Sequence, residues 1–232
     1  MPVRARIFAA LLVVSSGMWS MQPPTWVVTA SEVSQSVVRL TYPVTVTNPF
    51  TGDTYDTEAV CSGFVIDERF GTVLTADHCL NASTAENLTV DGLKEVEVLW
   101  YDHKLDLAVL RVKDLHKPAL APRASDVKLG EEVAVLGFGY GLNSVLFGHM
   151  WVSNIRETFG DMEGEWLIVY GGYIGGQSGC PLFDLDGHVI SIVQRSDGIT
   201  GLSLPQDDLW NATKEYWQHP RVEPGEANPG TN

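Results

Sequence analysis

Three short stretches carry residue types suited to nucleophilic chemistry. A serine sits among glycines in Gly176-Gln177-Ser178-Gly179, followed by Cys180-Pro181 and an apolar run. A serine hydroxyl is a weak nucleophile unless a base takes its proton and donors receive the charge that develops on the attacked carbonyl oxygen. Glycines on both sides permit positive φ and turn backbone N–H groups outward, although the same composition also suits an ordinary turn. His78 lies in Thr75-Ala76-Asp77-His78-Cys79, directly after a strand-like run, and Asp106 opens the apolar run Asp106-Leu107-Ala108-Val109-Leu110. Acyl transfer by serine needs a histidine to accept the hydroxyl proton and a carboxylate to hold that imidazole in its productive tautomer. Each residue also has a plainer use. A histidine beside a cysteine can be structural or a metal ligand, and an aspartate can start a strand at its solvent edge. No second Cys/His pair follows at zinc spacing, so no metal is expected.

The elements around these residues read as short strands. Ser36 to Val46, Ala59 to Asp67, Thr72 to Thr75, Val96 to Trp100 and Leu105 to Val112 are apolar or alternating runs separated by turn residues. Lys113 to Lys128, with Pro118 and Pro122, reads as a long surface connection and a subdomain boundary. Glu132 to Leu136, Met150 to Ile155, Trp166 to Tyr170, Pro181 to Phe183 and His188 to Val193 form a second set, with Asp186-Gly187 as a hairpin signal. Asp207 to Gln218 has helical spacing at Leu209, Ala212 and Tyr216, and His219-Pro220 stops it. The expected fold is all-β, a barrel or sandwich protein; the pattern itself does not choose between them. The tail from Glu223 to Asn232 is rich in Pro and Gly and is expected to be disordered.

Length and charge bound the function classes. The chain has 232 residues, 44% of them hydrophobic, and a net charge of −14. That balance argues against nucleic acid or an anionic membrane surface as partner, because both select basic patches. The start, MPVRARIFAALLVV, has two arginines and then an apolar run from Ile7 to Val14, too short to span a bilayer. It reads as a signal peptide within residues 1–30, cut near Ser15-Ser16-Gly17 or Val28-Thr29-Ala30, or as an uncleaved N-terminal anchor. Export would permit a disulfide among Cys61, Cys79 and Cys180. Asn81, Asn87 and Asn211 stand in glycosylation sequons that matter only in a eukaryotic secretory pathway.

Taken together, the three stretches resemble the chymotrypsin-like (trypsin-fold) serine peptidases. Thr75 to Cys79 looks like that family's T-A-A-H-C, Asp106 to Leu110 its D-L-A-V-L, and Gly176 to Leu182 its G-[DN]-S-G-G-P-L; the order His, Asp, Ser is the family's. Within the family the sequence is most similar to the HtrA/Deg-type protease domain, through Gly137 to Leu142, Gly148 to Ser153, Gly187 to Ile192 and Gly201 to Pro205. The resemblance covers roughly residues 33–216. It implies two six-stranded antiparallel β-barrels, about 33–115 and 128–205 within a domain spanning 31–222, with the site in the cleft between them and a C-terminal helix near 207–218. It implies Ser178 as nucleophile, His78 as general base and acid, Asp106 as orienting carboxylate, and the N–H groups of Gly176 and Ser178 as oxyanion hole. It implies a Cys61–Cys79 bridge across the histidine loop, worth about 3 kcal/mol in the chain-entropy model. No metal or organic cofactor is implied, and the partners are protein or peptide substrates in a secreted or periplasmic setting.

Departures from the family pattern set further expectations. Asp77 precedes the histidine and is read as a surface charge. Gln177 replaces the aspartate that pairs with a cleavage-generated N-terminus in zymogen-type members, so no such activation is expected. Cys180 replaces a glycine and is expected to be buried and inert. The pocket residues implied are Gly172 at its base and Gln194, Arg195 and Ser196 along its wall. With no aspartate at Gly172, a small or medium apolar P1 is expected rather than a basic one. An Arg195 turned inward would favour an acidic P1, and one turned outward would be solvated. No PDZ-like segment is read after the helix, so regulation through such a domain is not expected. The competing readings are a catalytically silent binding protein on the same fold and an esterase.

Overall fold

The computed structural model describes residues 24–80, 87–160 and 162–218. Its strands arise where β-branched residues alternate with polar ones. In β1 (Val37–Thr47) the first half is buried and the second half alternates outward, because beyond Tyr42 the strand leaves the core as a hairpin arm with β2 (Thr54–Asp67). β3 (Thr72–Thr75), β4 (Thr89–Val90), β5 (Val96–Asp102) and β6 (Leu107–Val112) complete an antiparallel sheet in the order β4-β1-β2-β3-β6-β5. A second set, β7 (Glu132–Gly137), β8 (Leu146–Phe159), β9 (Met162–Tyr170), β10 (Pro181–Phe183), β11 (Val189–Ser196) and β12 (Thr200–Ser203), closes into a barrel in the order β10-β11-β12-β9-β8-β7.

The all-β expectation therefore holds, with one difference from two closed barrels. The first sheet stays open as a half-barrel, because β4 has only two paired residues, joined to Leu40 and Thr41 of β1, and does not reach β5. The link from Lys113 to Lys128 is not purely a surface connection. Leu120 and Val127 are buried, Leu120 N–H donates to Val65 O at 2.9 Å, and Arg123 N–H donates to Val189 O at 2.8 Å, so the segment stitches one sheet to the other. Phe64, Ile66, Leu74, Leu107 and Val109 of the half-barrel share one apolar cluster with Ala134, Leu136, Phe183 and Ile192 of the barrel. The cleft floor is thus a continuous core, close-packed as protein interiors are.

Two helices close the ends. α2 (Gln206–Thr213), followed by a short 3₁₀ turn over Lys214–Tyr216, buries Leu209, Trp210 and Thr213; the expected C-terminal helix is present but shorter, and of its expected face Leu209 is buried while Ala212 and Tyr216 are half-buried. α1 (Trp26–Ser34) was not expected. Thr29 Oγ1 donates to Leu185 O at 2.6 Å, Val33 is buried, and the Trp26 ring lies 5.0 Å from that of His149. The expected leader boundary at residue 30 therefore falls inside a helix docked on the barrel, and a cut after Ala30 would sever it. The arginine and apolar run before residue 24, Asn81, and the tail from Glu223 to Asn232 lie outside the described residues. Among the described residues no helix is long and apolar enough to cross a membrane.

Candidate active site

His78 and Asp106 are brought together from two paired strands. β3 and β6 run antiparallel with Thr75 opposite Ala108, which sets the turn after β3 beside the residue that precedes β6. His78 sits in a 3₁₀ turn (Asp77–Cys79) and Asp106 just before β6, in the left-handed region at φ 52°. Aspartate tolerates that region better than most side chains. The carboxylate receives two bonds from one residue: His78 N–H donates to Oδ1 at 2.9 Å, and Nδ1 lies 2.8 Å from Oδ2. Asp106 is buried, whereas the His78 side chain is 46% exposed and open to a ligand. A carboxylate oxygen accepts, so Nδ1 donates in this contact, and Nε2 of the same ring has no hydrogen-bond partner among the described residues.

The serine turn is fixed by its carbonyls. Ser178 O accepts Ser62 N–H at 2.9 Å, Gly175 O accepts Tyr140 N–H at 2.8 Å, and Gly176 O accepts the Ser62 hydroxyl at 2.8 Å. Gly176 (φ 97°) and Gly179 (φ 85°) must be glycine, since a Cβ would lie 2.3 Å from Phe138 O and 2.2 Å from Ser62 O. With the carbonyls held inward, the N–H groups of Gly176 and Ser178 donate to no acceptor among the described residues. Gln177 is buried, and its side-chain oxygen accepts Ile174 N–H at 3.1 Å, closing the loop with a neutral amide. Ser178 is held beside the histidine loop, its carbonyl 3.7 Å from Cys79 Sγ. The Ser178 hydroxyl makes no hydrogen bond to His78; such contacts are often long without substrate and shorten when it binds.

The cysteines fall as the resemblance implies. Cys61 and Cys79 are joined by a disulfide, so the grouping of Cys61, His78 and Cys79 offers a metal no thiolates. Cys180 is fully buried behind the serine turn, and burial pushes its thiol pKa well up, which keeps it protonated and inert. Asp77 is not a free surface charge. Its carboxylate, little exposed, lies 2.5 Å from Nδ1 of His103, whose ring stacks near Tyr101. Sequence reading missed His103, because its partner lies on a different loop and no local pattern joins them.

The implied pocket residues separate into two groups. Gly172 (φ 40°) abuts the Gly198–Ile199 backbone, where a Cβ would lie 2.5 Å from Gly198 O. Ser196 joins it there, its hydroxyl accepting Tyr173 N–H at 2.9 Å. Tyr173 fills the space beneath Gly201, and its phenol meets the Ser203 hydroxyl at 2.7 Å; burial pushes its pKa up, so it stays neutral. Gln194 sits at a β-bulge and points the other way, its amide donating to the carbonyls of Leu105 and Asp106 at 2.5 and 3.1 Å. It holds the backbone of the residue that orients His78. Arg195 lies over the Trp166 ring, 5.5 Å from its centroid, on the wall of a cavity of about 600 Å³ with Leu105 and Gln194. The residue is exposed, with its guanidinium over the ring.

Residues 61–192 match the family model described as a trypsin-like peptidase domain. A probable periplasmic serine endoprotease DegP-like of Halomonas elongata is 32% identical over 161 residues, covering 66% of this chain and 34% of that protein. The serine protease Rv3671c of Mycobacterium tuberculosis is 34% identical over 142 residues, covering 57% of this chain and 35% of its own. The crystal structure of the active form of that protease superposes with a TM-score of 0.65 at 25% identity, covering 95% of this chain and 97% of the other. An HtrA-type protease, AlgW, with a decapeptide shares the fold at TM-score 0.65 and 19% identity, over 84% of this chain and 68% of the other. The chain spans about a third of the length of the curated relatives it matches. The matched stretch covers more than half of the sequence and contains His78, Asp106 and Ser178, and the chain belongs to the trypsin-like peptidase domain family.

Proposed function

We propose that this protein is a serine endopeptidase acting through an acyl-enzyme intermediate. Ser178 Oγ attacks the scissile carbonyl while Nε2 of His78 takes its proton. The resulting oxyanion is received by the N–H groups of Gly176 and Ser178, and Asp106 stabilises the imidazolium. The proton then passes from His78 to the leaving amine, and water attacks the acyl-enzyme by the same route in reverse. The observation that carries the reading is the two-point hold of Asp106 on His78, which leaves Nε2 free beside a turn with two unpaired N–H groups. Preorganised donors of that kind contribute ~10²–10³ in rate each.

An apolar P1 residue fits the surroundings of Gly172, which hold a neutral buried phenol and no carboxylate turned inward. Asp197, next to the Gly198 backbone that abuts Gly172, has its carboxylate occupied by the N–H groups of Ile199 and Thr200. The silent binding reading loses its two supports, since Cys180 is buried and Asp77 is bound to His103. The disulfide and the periplasmic relatives favour an extracytoplasmic site of action. A fluorophosphonate probe should label the wild-type chain at Ser178 and spare Ser178→Ala. Labelling that survives that substitution, or a wild type that neither labels nor cleaves peptides, would reject the proposal.

A further inference from the structure

Arg39 stands apart from the other arginines among the described residues. Arg69, Arg111, Arg123 and Arg156 each pair with a carboxylate, and Arg195 lies over Trp166. Acids outnumber bases 29 to 15 in this chain, so partners are plentiful. Arg39 nevertheless makes no ion pair among the described residues, and its Nε is buried with no acceptor. A buried guanidinium N–H without a partner is costly, and among the described residues no carboxylate neutralises the charge of this side chain.

The position of Arg39 says what could supply one. It pairs across β1 and β2 with Ser62, whose hydroxyl bonds Gly176 O of the serine turn. The side chain lines an open cavity of about 740 Å³ with Thr57, Glu58, Val60, Tyr140, Gly141, Gly175 and Gly176. That cavity reaches the proposed oxyanion loop yet shares no residue with Gly172 or Gln194 to Ser196, the wall assigned to the acyl side. Glu58 is the one acid on its lining. It lies opposite Pro43, four residues along the hairpin from Arg39, roughly 13 Å at the rise of a strand, and forms no ion pair with Arg39. Resting on the peptidase reading above, we propose that Arg39 is a specificity residue that binds a substrate carboxylate on the leaving-group side of the scissile bond.

A planar guanidinium suits that ligand, because it can present two parallel donors to one carboxylate. The carboxylate could belong to an Asp or Glu side chain or to the C-terminus of a short substrate. Quenched fluorescent peptides with a fixed apolar P1 and an amidated C-terminus, carrying Glu or Gln at each of the four positions after the scissile bond and, as a control, at P2, would test it. A parallel set ends in a free carboxylate at those positions. The full-length wild type should show a Glu-over-Gln ratio in kcat/KM of about five- to tenfold at one leaving-group position, shrinking as salt rises. In Arg39→Gln the ratio should fall to about one whatever the absolute rates, and Arg39→Lys should retain part of it. A preference confined to the free C-terminal carboxylate assigns that source. A wild-type ratio near one in both sets, a preference found only at P2, or an unchanged ratio in Arg39→Gln overturns the proposal. Should the wild type cleave nothing, the peptidase reading fails, and anisotropy with the same labelled peptides on Ser178→Ala decides this one separately. A Glu preference lost with Arg39→Gln sustains the site, and equal binding of Glu and Gln peptides ends it.

Discussion

Replacing Asp106 by asparagine changes a single oxygen to an NH₂ group and leaves the shape of the site intact. In the native arrangement two donors from one residue converge on the carboxylate, His78 N–H at 2.9 Å and the ring Nδ1 at 2.8 Å. An amide has one acceptor oxygen. The backbone N–H cannot change its role, so it takes that oxygen, and the amide NH₂ is left facing Nδ1. The ring must then accept at Nδ1 and carry its proton on Nε2, the atom that should receive the serine proton. An asparagine at the orienting position of a Ser-His-Asp triad lowers kcat by ~10⁴ through this change of tautomer, equivalent to about 5 kcal/mol of transition-state stabilisation. The assay is kcat/KM on a cleaved peptide, paired with nitrogen NMR of the imidazole to read which atom is protonated. The melting temperature should move little, since every donor keeps a partner. A variant within tenfold of wild type, or one that is slow with the proton still on Nδ1, would refute the reasoning.

Other expectations follow from the cysteines and from the His188 turn. Alkylation of the native protein should modify no cysteine, unfolding without reductant should expose Cys180 alone, and reduction should free three thiols, as mass spectrometry would show. Removing the Cys61–Cys79 bridge by a double serine substitution should lower stability by about 3 kcal/mol in denaturant titrations. The Asp184 carboxylate, 3.7 Å from the ring, raises the pKa of His188 above its ordinary 6.5. Burial of Asp184 favours its neutral form, but contacts to His188 and the charge of Arg123 outweigh that and leave its pKa lowered. The sign follows from both shifts. The pair adds stability above the usual carboxylate pKa and below pH 6.5, and loses it as pH climbs through the raised histidine value. Thermal melts of wild type and His188→Gln should therefore differ most near pH 5–6 and converge by pH 8 to 9; a constant difference would speak against the linkage.

The strands were legible because a strand buried on both faces leaves a continuous apolar run, as in β6 and β10, and the turn glycines were legible because backbone clashes demand them. The order of His78, Asp106 and Ser178, the proposed triad, could be read for the same local reason: each sits at the end of a strand or in a glycine turn with its own signature. What escaped reading was non-local. α1 lay hidden in a stretch whose small residues also fit a leader, and only the contact of Thr29 with Leu185 reveals its docking. β12 is four residues long and holds a glycine, recognisable as a strand only once Tyr173 is found packed beneath Gly201. The Asp77–His103 pair and the tether from Gln194 to Leu105 join residues far apart in sequence. Side-chain polarity predicts that such groups need partners but not which ones.

The geometry also explains why a buried carboxylate is tolerated at the junction of two sheets. An ionised Asp106 in a low-dielectric setting is costly unless fully hydrogen-bonded. Its two oxygens are taken by the backbone and ring of His78, and its main-chain carbonyl by Gln194, which reaches across from the barrel. The half-barrel carries the proposed base and its carboxylate, and the barrel carries the serine turn. Gln194 and Ser62 cross between them, the first to Asp106 and the second to Gly176. Relative movement of the two sheets would break both bonds, so the proposed catalytic arrangement and the packing of the two units are stabilised by the same contacts.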